Sequence, residues 1–175
     1  MVFALSSLCL HQINFKMKKI IIIVSFFAII FGQKSYGQNS ASDAEHVQLL
    51  TAYFGIKDAL VKGSSDEAAT SAGNFIQHTK MLEGKTIPEN EKNALIKDAN
   101  VIAGSKDITK QRSAFAGLSD HMFALAKSVK LSPDPIYELY CPMKKAYWLS
   151  NQQTVKNPYF GNAMLSCGKV AETLQ

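Results

Sequence analysis

The sequence lacks the short motifs by which the common classes of enzyme are recognised. It contains no His-Glu-x-x-His zinc motif, no Gly-x-Ser-x-Gly nucleophile elbow, no phosphate-binding loop and no carboxylate pair in a distinctive context. We therefore predict a protein without enzymatic activity. One alternative stays open, because a nucleophilic pair of Cys141 or Cys167 with His121 would be close in space rather than in sequence.

An excess of positive charge is also missing once the N-terminus is set aside. The chain has 19 basic and 14 acidic residues, and four of the lysines but none of the acids precede Gln38. The remainder therefore carries 15 basic and 14 acidic residues. Nucleic acids and acidic membranes are bound through clustered charge that neutralises phosphates. We predict neither a nucleic-acid partner nor a membrane partner for this part of the chain.

Residues 1–37 have the layout of a secretory signal peptide, with translation starting at Met17. Lys18 and Lys19 precede an apolar run over residues 20–31, and small residues then mark a cleavage site before Gln38. The run is shorter than the ~20 residues that span a bilayer. We predict a periplasmic or secreted protein, with an uncleaved N-terminal anchor as the alternative.

Residues 38–175 are predicted to form a single, mainly α domain, an antiparallel four-helix bundle with a small irregular C-terminal lobe. After a flexible start at residues 38–42, four helices follow over residues 43–131. Apolar residues recur there at steps of three and four, as at Leu49, Tyr53, Ile56 and Leu60. Short turns between the helices favour an antiparallel bundle.

The segment 136–170 differs in composition from the predicted helices. It concentrates aromatic residues, including the only tryptophan, and has turn signals at Asn151 and over 157–162. We predict an irregular aromatic and cysteine-bearing lobe that packs on the bundle. Residues 147–149 are expected to form a short strand.

Several strings in this segment resemble a bacterial family of unknown function, domain family 3347. They are Cys141-Pro142-Met143, Ala146-Tyr147-Trp148-Leu149, Asn157-Pro158-Tyr159-Phe160-Gly161, Met164 and Cys167-Gly168. Weaker similarity extends over the predicted helices. Domains of this family occur as small secreted proteins and fused to periplasmic adaptor subunits of heavy-metal efflux pumps. The resemblance thus implies a link to metal, with an efflux adaptor as the expected partner.

Two sulfur-bearing stretches are the candidate metal site. Thiolates and thioethers are soft donors and favour Cu(I) over hard ions. If the lobe brings the stretches together, Cys141 and Cys167 would supply thiolates and Met143 and Met164 thioethers. His121 is the candidate nitrogen ligand, because it lies on the fourth predicted helix and matches the family pattern. The predicted function is soft-metal binding, to buffer the ion or hand it to an efflux system.

Structural interpretations compete with each of these assignments. In an exported protein the only two cysteines after the leader would form a 141–167 disulfide. Methionines commonly fill cores, and His121 would then be a hydrogen-bonded residue at the edge of the core. The alternative function is a disulfide-stapled, non-enzymatic module that binds another protein.

Overall fold

The computed structural model describes residues 37–82 and 87–175, with side chains from residue 43 onward. The predicted signal peptide lies outside these residues up to Tyr36. Within them the chain is mainly helical, as predicted, and also contains a small antiparallel sheet. The helices are α1 (Gly37–Lys62), α2 (Ser65–Met81), α3 (Glu89–Ala103) and α4 (Ile108–Ser128). The strands are β1 (Ile136–Cys141), β2 (Ala146–Ser150) and β3 (Lys169–Leu174).

Helix α1 begins earlier than the sequence predicted. We expected a helix from Asp43 after a flexible start, whereas α1 begins at Gly37. Residues 37–42 contain no proline, so the backbone has no obligatory break there. The predicted buried face of this helix is confirmed, since its four marker residues Leu49, Tyr53, Ile56 and Leu60 are all fully buried. Among the described residues no helix is both long and apolar enough to cross a membrane.

The helix boundaries follow from local capping chemistry. Ser64 precedes α2, and its hydroxyl accepts the Glu67 N–H at 3.3 Å. Asp107 precedes α4, and its carboxylate accepts the Thr109 N–H at 2.8 Å. Such caps satisfy backbone groups that a helix start leaves free, and each contributes about 1 kcal/mol.

The core is continuous from the helices to the sheet. In α4 the predicted apolar face is confirmed, with Phe115, Leu118 and Met122 fully buried. The Phe115 ring stacks on the Tyr53 ring of α1, with 5.2 Å between the ring centroids. The one polar residue on this face, Gln111, is fully buried as well. Its amide nitrogen donates to the backbone carbonyl oxygens of Ser65, Ile102 and Ser105 at distances of 2.7 to 3.2 Å.

The C-terminal segment is more regular than the sequence predicted. Instead of an irregular lobe, it forms a three-stranded antiparallel sheet in the order β2-β1-β3. The predicted strand at 147–149 is confirmed and lies within β2. In the register, Leu139 is opposite Trp148 on one side and Val170 on the other. The pairing of β1 with β3 shifts between Glu138 and Leu139, where Ala171 of β3 is the extra, unpaired residue of a bulge.

A buried hydroxyl links the sheet to two of the helices. The Tyr53 hydroxyl accepts the backbone N–H of Leu149 in β2 at 3.0 Å and pairs with Ser119 of α4 at 2.7 Å. Trp148 and Leu149 are buried beside it. A tyrosine on α1 therefore fixes the position of the strand that pairs with β1.

Candidate metal centre

The two cysteines meet at one end of the sheet. Cys141 is the last residue of β1, and Cys167 precedes β3 by two residues. Because β3 runs antiparallel to β1, with Lys169 opposite Tyr140, the segment before β3 lies beside the end of β1. The two sulfur atoms are 4.0 Å apart, and both residues are free cysteines. The fold therefore joins the two predicted sulfur-bearing stretches at their cysteines.

Backbone and side-chain N–H groups surround the sulfur of Cys141. The side chain of this residue is fully buried. Its sulfur accepts the amide N–H of Asn157 at 3.1 Å and the backbone N–H of Lys144 at 3.4 Å. The second contact is made by the turn after β1, in which Lys145 has a positive φ of 56°. The two N–H groups therefore hold the Cys141 sulfur in place at the end of β1.

Cys167 is the more accessible of the two cysteines. Its side chain is half-buried, whereas that of Cys141 is not exposed at all. Desolvation raises the pKa of the Cys167 thiol, and the neighbouring Cys141 sulfur raises that pKa further. The backbone N–H of Met143 acts in the opposite direction and lowers it. Met143 thus contacts the site through its backbone.

The glycine after Cys167 allows close packing against the sheet. Gly168 has a φ of +154°, and a Cβ at this position would lie 2.8 Å from the Trp148 ring and 3.0 Å from the Tyr140 carbonyl oxygen. A side chain would therefore push the segment that carries Cys167 away from β1.

The two candidate ligand methionines do not fill a core. Met143 lies in the turn between β1 and β2 and is 64% exposed, and Met164 is 36% exposed. Met164 belongs to the turn that leads to Cys167, whose backbone N–H donates to the Met164 carbonyl at 3.1 Å. Both thioethers are thus on the surface, on the two turns that hold the cysteines.

His121 is oriented toward another partner. Its Nδ1 lies 3.1 Å from a carboxylate oxygen of Asp98 on α3, and its side chain is 46% exposed. Across the described ranges 37–82 and 87–175, no three His, Cys, Asp or Glu side chains form a group that would hold a metal ion. The structure therefore brings Cys141 and Cys167 together without His121, because the helix presents that ring to α3.

Asn157 is a residue of the site that the sequence indicated only as part of a turn. Its side chain is fully buried and donates to the Cys141 sulfur and, at 2.6 Å, to the carbonyl oxygen of Cys167. The Asn-Pro pair predicted a turn. Nothing in the local sequence signalled a contact with a sulfur 16 residues away.

Comparison with known proteins identifies similarity over the helices. The model of a family described as "Protein of unknown function (DUF3347)" matches residues 49–134. The match covers most of α1 and all of α2 to α4, and it ends before β1 and both cysteines. No curated protein and no solved structure matches the chain.

Proposed function

We propose that this chain, which belongs to the DUF3347 family of proteins of unknown function, binds a soft metal ion between Cys141 and Cys167. The proposed ion is Cu(I), and the proposed role is to buffer it outside the cytoplasm or hand it to an efflux system. The observation that carries the proposal is the approach of the two unbonded sulfur atoms to 4.0 Å.

The distance between the sulfurs suits a bridging ion. With thiolate–metal bonds of about 2.3 Å, the zinc value, a separation of 4.0 Å corresponds to an S–metal–S angle of about 120°. That angle is the one expected for three-coordinate geometry. Cu(I) accepts soft donors in low coordination numbers, whereas a structural zinc site would require four ligands of thiolate or nitrogen type. The two sulfurs alone therefore support Cu(I) better than Zn²⁺.

A third donor is available on the turns that carry the cysteines. Met143 is adjacent to the site through its backbone N–H, and its exposed thioether is the proposed third ligand. Met164 is the second candidate. His121 has no part in this proposal, because its ring faces Asp98. Exposed thioethers also suit a protein that exchanges its ion with a partner.

The helices are proposed to act as the scaffold, arranged as an antiparallel bundle, and the protein to act in the periplasm or outside the cell. Support for the location comes from the signal-peptide pattern of residues 1–37. A protein in that position meets copper before an efflux pump does. A periplasmic adaptor subunit of a heavy-metal efflux system is the proposed receiver.

Anaerobic Cu(I) titration against a chromophoric chelator tests the proposal. We expect one Cu(I) per reduced chain, with both thiols protected from alkylation when the ion is bound. Cys141→Ser with Cys167→Ser should abolish this binding. Full copper binding by the double variant, or none by the reduced wild type, would refute the site.

The methionine contribution has a matched control in the same chain. Met143→Leu should lower Cu(I) affinity by about 10-fold, the effect of about 1.4 kcal/mol of lost binding energy. Met81 is 63% exposed on α2, almost the same as Met143, so Met81→Leu should leave the affinity unchanged. Equal affinities for the two variants would show that Met143 is not a ligand.

The same sulfur distance favours a second function, a disulfide-stapled module that binds another protein. A disulfide bond is about 2.05 Å long, so oxidation would require the two sulfurs to approach by about 2 Å. A thiol count on freshly isolated periplasmic protein separates the two functions. Two free thiols support the metal site, whereas no free thiols and a melting temperature that copper does not change support the module.

A further inference from the structure

The orientation of the Asn157 side-chain amide is fixed by its neighbours. Its oxygen Oδ1 accepts the backbone N–H of Tyr159 at 2.8 Å, a group that can only donate. Its nitrogen Nδ2 lies 2.6 Å from the Cys167 carbonyl oxygen, a group that can only accept. A flipped amide would lose both hydrogen bonds. The nitrogen therefore faces the cysteines.

The second hydrogen of this nitrogen points to the other cysteine. Nδ2 is 3.1 Å from the Cys141 sulfur, and Asn157 is fully buried, so no water replaces either contact. The backbone of Asn157 is held as well, because its N–H donates to Leu165 at 2.8 Å and its carbonyl accepts from Gly161 at 3.0 Å. The Asn157 amide is therefore hydrogen-bonded to the sulfur of Cys141 and to the backbone carbonyl of Cys167.

The two cysteines are consequently held in different ways. Cys141 is buried and its sulfur itself is hydrogen-bonded, by Asn157 and by the backbone N–H of Lys144. Cys167 is held by Asn157 at its carbonyl, so its half-buried sulfur has no contact with Asn157 and only the backbone N–H of Met143 beside it. We propose that Asn157 is a positioning residue that makes Cys141 the fixed ligand and leaves Cys167 as the ligand through which the ion enters and leaves.

This inference rests on the proposed function and adds the side of the site at which the ion is exchanged. A partner that carries a thiol would approach from the exposed side, at Cys167. Its sulfur, on losing a proton, bonds to the Cu(I); the bond from the ion to Cys167 then breaks, and the Cys167 sulfur takes up a proton. The copper stays Cu(I), and Cys141 is the last ligand to leave.

The test uses Asn157→Asp, which has nearly the same shape as asparagine. Aspartate keeps the acceptor for the Tyr159 N–H, but it replaces the donor at the Cys141 sulfur with an anionic oxygen. Loss of a hydrogen bond to a charged group costs 1.5–3 kcal/mol, so Cu(I) affinity should fall about 10- to 100-fold. Asn151→Asp is the control, because it adds the same charge at an exposed turn residue and should bind as the wild type does.

A second readout needs no metal and reports on the cysteines separately. In the reduced, metal-free wild type, iodoacetamide should modify Cys167 at least about 10-fold faster than Cys141. The two rates are measured by peptide mass spectrometry. The factor corresponds to about 1.4 kcal/mol of extra protection of Cys141. Asn157→Asp should reduce this ratio, and Asn151→Asp should not. An unchanged ratio together with unchanged Cu(I) affinity would overturn the role of Asn157 and leave the metal site standing.

The serine variants test the same asymmetry without touching Asn157, in case Asn157→Asp fails to fold. Cys141→Ser should weaken Cu(I) binding at least about 10-fold more than Cys167→Ser, because it removes the ligand that Asn157 holds; the factor corresponds to about 1.4 kcal/mol. Equal losses in the two variants would overturn the inference. A wild type that takes up no Cu(I) would refute the inference together with the proposed function.

Discussion

Glu138 is expected to make the protein less stable as the pH rises from 4.5 to about 7. It lies in β1 directly opposite Glu172 of β3, and only 6% of it is exposed. The pKa of Glu138 is raised from 4.5 to about 7, chiefly by burial and in addition by the charges of Glu172 and Asp120. Lys127 of α4 acts against this, since its ammonium pairs with Glu172 at 3.0 Å.

The sign follows from comparing the folded and unfolded states. Below pH 4.5 the carboxyl is protonated in both states and Glu138 costs nothing. Between pH 4.5 and about 7 the unfolded chain loses this proton while the folded protein retains it, so stability falls over that window. At about 1.36 kcal/mol per pKa unit the full shift corresponds to about 3.4 kcal/mol, and screening by solvent reduces this to about 1–2 kcal/mol.

Glu138→Gln tests this reasoning, because the amide has the same shape and no charge. In urea unfolding at pH 8 the variant should be more stable than the wild type by about 1–2 kcal/mol. At pH 4.5, where half of the unfolded chains still carry the proton, the difference should shrink to less than about 0.5 kcal/mol. Glu67→Gln, at an exposed residue of α2, is the control and should change stability by less than about 0.5 kcal/mol at either pH. A difference between Glu138→Gln and wild type that is the same at both pH values would refute the argument.

Two further predictions concern the attachment of the sheet and the packing beside the cysteines. Tyr53→Phe leaves the buried N–H of Leu149 without its acceptor, so the free energy of unfolding should fall by about 1–3 kcal/mol in urea; a loss below about 0.3 kcal/mol would contradict this. Gly168→Ala places a Cβ 2.8 Å from Trp148 and should lower the unfolding free energy by about 1–3 kcal/mol in thermal melts. Gly73→Ala, with no atom within 4 Å of the new Cβ, is its control and should not destabilise.

The helices were predictable because local chemistry and packing agree along them. The start of α4 follows from the Asp107 cap, and its buried face follows from the apolar steps of three and four. The earlier start of α1 was not predictable, because residues 37–42 have neither an apolar stripe nor a breaking residue. Small polar residues of this kind predict a flexible start as readily as a helical turn.

Two of the three strands were missed for different reasons. In β1 the adjacent residues Glu138 and Leu139 are both buried, so the sequence Ile-Tyr-Glu-Leu-Tyr-Cys does not show the alternation of a half-buried strand. β3 is an edge strand with most of its residues exposed, so it has little apolar signal. β2, with Tyr-Trp-Leu, has a composition that favours a strand by itself.

The site was predictable in its cysteines and not in what surrounds them. Cys141 and Cys167 stood out because they are the only two after the leader. The surroundings depend on tertiary contacts. His121 is hydrogen-bonded to Asp98, which lies on another helix. The contact of Asn157 with the Cys141 sulfur depends on how β1 and β3 are paired. Spacing along the chain carries neither piece of information.

The family match and the cysteines, although separate in sequence, are linked in the fold. Tyr53 and Ser119 both lie within residues 49–134; their hydroxyls are hydrogen-bonded to each other, and the Tyr53 hydroxyl also accepts the backbone N–H of Leu149. Leu149 belongs to β2, which pairs with β1, and β1 ends at Cys141. A change in the helices that moves Tyr53 should therefore displace the strand that carries the buried cysteine. If the proposed metal site is correct, Tyr53→Phe should lower Cu(I) affinity as well as stability, although Tyr53 contacts neither sulfur.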